Sequence, residues 1–81
     1  MMNARQVPLP LAREGSRVAV TAMAGCREAC KRLGELGILV GSELELVRAG
    51  GGGPLVVAVG RTRFALCPTL ARKILVTEIG G

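Results

Sequence analysis

The sequence predicts a mainly β protein: a small, partly open five-stranded barrel with one inserted α-helix and a short 3₁₀ turn. Three observations carry this. Short apolar runs alternate with period two, glycine-rich breaks separate them, and one segment instead repeats its apolar residues every three or four positions. At 81 residues the chain is expected to form one domain, because two hydrophobic cores would leave each part too small to fold unaided. Phe64 is the sole aromatic side chain, so core volume must come from Val, Leu, Ile and Ala.

Residues 1–8 read as an extended lead-in and 9–81 as the domain, since Pro8 and Pro10 bias their predecessors away from helix and offer no amide donor. In GSRVAVTAM, Val18, Val20 and Ala22 alternate with Arg17, Ala19 and Thr21, which predicts the first strand. CREACKRLGELG then gathers Cys26, Ala29, Cys30, Leu33 and Leu36 on one side of an amphipathic helix. Gly34 costs this helix roughly 1 kcal/mol relative to Ala, so another element is expected to approach it closely.

Gly37 suits the left-handed position that ends many helices, and Gly41 with Ser42 suits a turn into the second strand, SELELVR. The loop AGGGGP leads to LVVAVG, the third strand, and Gly60-Arg61 fits a two-residue type II′ hairpin turn. In the fourth strand, TRFAL, Phe64 and Leu66 share a face with Thr62. Pro68 ends that ladder, PTLARK makes one helical or 3₁₀ turn, and ILVTEI is the fifth strand.

The composition restricts chemistry. There is no His, hence no near-neutral imidazole base or ligand, and all six acids are glutamates in no paired pattern. Enzyme activity is not expected. Cys26 and Cys30 have the i,i+4 spacing that puts two ligands on one helix face, and Cys67 offers a third thiolate for Zn or Fe(II). The same spacing places them on the apolar stripe with Ala29 and Leu33, where cysteine packs as a small hydrophobe. An odd cysteine count without a signal-like apolar region predicts reduced thiols and a cytoplasmic setting.

The net charge of +5 favours acidic partners, and Arg61 and Arg63 could join Arg72 and Lys73 in a basic patch. Single-stranded nucleic acid recognition usually adds aromatic stacking, and Phe64 is expected to face inward, so nucleic acid is not the expected partner. The glycine run at 50–53 lacks the GK[ST] ending of a phosphate loop. No window approaches a membrane span, so no direct insertion is expected.

The ordered segments EGSRVAV, RLGELGILVGSELELV, PLVVAVGRTRFAL and LARKILV resemble the FeoA family of bacterial ferrous iron uptake, whose barrel also occurs as the C-terminal domain of some iron-dependent repressors. The most specific parts are residues 33–38 with Gly41 four after Gly37, then Pro54, Ala71, Ile74 and Val76. The chain departs at Cys67, where the family pattern commonly has a basic residue after the strand's leucine. The resemblance implies an SH3-like barrel and a cytoplasmic accessory of the FeoB-type ferrous iron permease, a membrane GTPase, at whose inner face it would sit. It implies no required cofactor, although transition metal ion binding (Fe2+ or Zn2+) is attached to the family. On that reading, Leu36, Ile38 and Leu39 are expected to shape a shallow apolar docking surface.

Overall fold

The structure, a computed structural model, describes residues 6–25, 27–49 and 53–80. Strand β1 (Val7–Pro8) and a 3₁₀ turn (Leu9–Leu11) lead into β2 (Arg17–Met23) and helix α1 (Arg27–Glu35). Strands β3 (Glu43–Arg48), β4 (Leu55–Val59) and β5 (Thr62–Leu66) follow, then a single turn of helix α2 (Pro68–Ala71) and β6 (Ile74–Gly80). The strands pair antiparallel in one sheet of order β1-β6-β2-β3-β4-β5.

Period-two alternation becomes inward-facing rows. Across the sheet Val20 sits opposite Val76, Val18 opposite Leu44, Leu46 opposite Val57, and Leu55 opposite Leu66. These residues join Leu33 of α1, Leu9, Ile38, Ala71 and Ile74 in one buried cluster. A flat sheet could not bring the inner faces of its two ends to one core, so the sheet must coil around it. It stays an open barrel, because β1 and β5 remain its two ends.

Register shifts at three places and one extra strand differ from the alternation read in the sequence. Val20 pairs with Val76 but Ala22 with Leu75, so Thr21 is an extra residue, a bulge. Beyond it the inward position passes from Ala22 to Met23, which pairs with the buried Ile74 and packs on the core. The Thr21 hydroxyl donates to the Leu75 carbonyl (3.2 Å) beside the bulge. The extra strand is β1: Val7 and Pro8, taken as the end of the lead-in, pair with Val76 and Leu75. Two residues carry no readable period, and Pro8 is tolerated because β1 is an edge.

The β4–β5 hairpin closes on Val59 and Thr62 with Gly60 at φ +62° and no positive φ at Arg61, as a type II′ turn requires. The glycine loop's residues 50–52 lie outside the described residues.

Ile38 was expected on the docking surface, and the structure corrects this: it is fully buried in the core cluster, whereas its neighbour Leu39 is exposed. Ile38→Ala is therefore expected to cost about 2–5 kcal/mol in urea unfolding. Leu39→Ala should stay within about 0.5 kcal/mol.

Candidate docking surface

The connector from α1 to β3 begins with a helix stop set by backbone geometry. The Ile38 N–H donates to the Leu33 carbonyl (2.9 Å) and the Gly37 N–H to the Gly34 carbonyl (3.0 Å). These two bonds form a Schellman motif, which needs a left-handed residue between them. Gly37 supplies it at φ +89°. A Cβ there would only touch Val59 Cγ1 at 3.9 Å, so the demand for glycine comes from φ and not from crowding. The motif commonly pairs an apolar residue just after the stop with one in the last turn. Here these are Ile38 and Leu33, both in the core.

Ser42 closes the far side. Its hydroxyl accepts from the Leu39 N–H (3.0 Å) and donates to the Gly37 carbonyl (3.1 Å). Its own N–H donates to the Leu39 carbonyl (2.9 Å). Gly41, at φ +97°, donates its N–H to the Val20 carbonyl (2.8 Å), and the Val20 N–H donates to the Ser42 carbonyl (2.9 Å). The connector is thus bonded at one end to α1 and at the other to β2, and cannot swing freely.

With Ile38 held inward, its apolar neighbours are forced outward: Leu36 is 41%, Leu39 56% and Val40 63% exposed. Leu39 leans back over the helix end, where a Cβ on Gly34 would meet its Cδ2 at 3.3 Å. This is the close approach that Gly34 accommodates. The surface is therefore Leu36, Leu39 and Val40. Val40 carried no separate signal, because in ILV nothing distinguishes the inward residue from the outward ones except the apolar pairing across the stop.

Next to this rim, an open depression of about 470 Å³ is lined by Glu28, Ala29, Lys31, Arg32 and Glu35 of α1 and by Leu70 of α2. Its wall mixes two acids with two bases and offers no nucleophile–base pair. Two further glutamates act as backbone clips: Glu78 accepts from the Arg13 N–H (2.9 Å) and Glu14 from the Ala49 N–H (3.3 Å).

The thiols do not form a metal centre among the described residues. Cys30 is half-buried on α1 and Cys67 exposed ahead of α2, while Cys26 lies outside the described residues. No group of three or more Cys, Asp or Glu side chains among the described residues is placed to hold a metal ion. The two described thiols lie on separate elements, Cys30 on α1 and Cys67 ahead of α2.

Fold and surface together define a class: a small SH3-like β-domain presenting a fixed apolar rim, with no catalytic constellation among its described residues. The FeoA domain matches residues 7–78. A Methanocaldococcus jannaschii protein named Fe(2+) transport protein A is 39% identical over 77 residues, covering 91% of this chain and 92% of that one. The crystal structure of an iron uptake regulatory protein, FeoA, superposes with a TM-score of 0.86 at 27% identity, covering 93% of this chain and all of that one. FeoA from Chlorobium tepidum gives 0.80 at 26% identity, covering 93% and 72%. A manganese-dependent transcriptional repressor shares the fold at 0.84 and 19% identity, where this chain spans 44% of the repressor. The chain belongs to the FeoA family.

Co(II) added to the reduced full-length protein is expected to give no thiolate charge-transfer absorption. A band that disappears in the Cys26→Ala/Cys30→Ala/Cys67→Ala variant would instead establish a thiolate site.

Proposed function

We propose that this chain is a non-enzymatic, cytoplasmic accessory of ferrous iron uptake that docks on the cytoplasmic GTPase region of a FeoB-type permease through Leu36, Leu39 and Val40. Its relative is named for Fe(2+) transport and its structural neighbour for iron uptake regulation, which supports the process. The absence of His and of any described nucleophile–base pair supports a role in binding rather than catalysis. No described helix is long and apolar enough to cross a membrane, so contact with the transport system would be made through a partner.

The observation that carries the proposal is the outward apolar rim on a connector clamped by Ser42 and Gly41. A connector whose backbone is already fixed presents its apolar side chains at low ordering cost, because the backbone does not have to be immobilised on association. Iron is the cargo of the permease on this reading, and no metal need reside on this chain.

Leu39→Lys should weaken capture of the purified permease GTPase region at least about tenfold while urea unfolding stays near wild type. Undiminished binding would rule out this surface. Failure of the wild-type chain to bind would rule out the partner.

A further inference from the structure

Charge is unevenly distributed along the chain. Residues 46–77 hold Arg48, Arg61, Arg63, Arg72 and Lys73 with no glutamate, so this stretch carries the whole net charge of +5. The remainder is balanced, with six bases and six glutamates. Within the basic stretch, β5 is an end strand, and no other described strand pairs with its outer side.

The hairpin register identifies which backbone groups are free. Val59 and Thr62 close a two-residue turn, so Thr62, Phe64 and Leu66 exchange hydrogen bonds with Val59, Val57 and Leu55. The N–H and C=O groups of Arg63 and Ala65 must then point away from β4. Both residues are exposed. Phe64 and Leu66 face the core and hold the strand in place. The result is a fixed edge with two donor–acceptor residues that no described strand takes up, beside exposed Arg61 and Arg63.

We infer that this edge takes up an extended acidic segment of a partner protein by strand addition. Backbone pairing with Arg63 and Ala65 supplies the register, and carboxylates on the added strand meet Arg61 and Arg63. Charge selects this occupant. A second copy of the chain, paired antiparallel about Phe64, would set Arg63 opposite Ala65 and bring no carboxylate to Arg61 or Arg63. Nucleic acid would find no stacking platform, because Phe64 is turned inward and is the sole aromatic residue. The inference does not rest on docking at Leu36 and Leu39.

The test uses the full-length ¹⁵N-labelled protein and three probes: a capped heptapeptide alternating Glu and Val, its Lys/Val counterpart, and an oligothymidylate. The Glu/Val peptide should shift the Arg63 and Ala65 amides, slow their hydrogen exchange at least about tenfold, and bind less well as salt rises. Ala65→Pro removes one free donor at an edge position that tolerates proline, and should abolish binding with the spectrum still dispersed. Arg61→Glu/Arg63→Glu should reduce affinity at least about tenfold and serves alone if the proline variant unfolds. No shift at Arg63 and Ala65, equal binding of the Lys/Val peptide, or oligothymidylate binding at these residues without amide protection would overturn the inference.

Discussion

The helix stop at Gly37 is the constraint on which the rest of the structure depends. The Ile38–Leu33 and Gly37–Gly34 hydrogen bonds can form together only around a left-handed residue, and they turn the chain so that Ile38 enters the core directly after Leu33. Burying one of the four large apolar residues between positions 36 and 40 commits the others. Leu36, Leu39 and Val40 are left outside at a cost in exposed apolar surface that the fold does not recover within the described residues. Such a cost is most readily understood where the surface is used.

The same turn delivers β3 to β2. Gly41 and Ser42 bond to Val20 before β3 begins, so the connector joins the sheet at the residue whose side chain packs opposite Val76. Helix end, connector and sheet therefore act as one body. The bulge at Thr21, immediately after Val20, turns Met23 inward and lets the rest of β2 follow β6 toward α1. The core they frame is built almost wholly from Val, Leu, Ile and Ala. The residues that carry the family resemblance are largely structural, with Ala71, Ile74 and Val76 all in the core.

Most of the fold was legible because its signals are periodic. The five longer strands, α1 and the II′ turn at Gly60 each announce themselves through spacing or a glycine that the backbone demands. What escaped has no period. β1 is two residues long, and each register shift, as at Thr21, inserts a single position into an alternating run. The direction of Ile38 was the costly miss, since Leu36, Ile38, Leu39 and Val40 are equally apolar and a linear pattern cannot rank them. The signal that would have ranked them is the rule that the residue after the left-handed stop packs against the last turn, here Ile38 on Leu33. Ser42 was read as a turn residue, and its role as a clip depends on a loop shape that spacing does not specify. The free edge at β5 likewise follows from strand order, which no local pattern contains.

The central claim is that the connector is part of the rigid core and not a loop lying on it. Native-state hydrogen exchange of the full-length protein tests this at the Ile38 and Gly41 amides, which donate to Leu33 and Val20. Their opening free energies should fall within about 1 kcal/mol of those for the Val20 and Leu46 amides in β2 and β3. Exchange of Ile38 and Gly41 at the rate of a fraying loop, with Val20 and Leu46 still protected, would contradict the account.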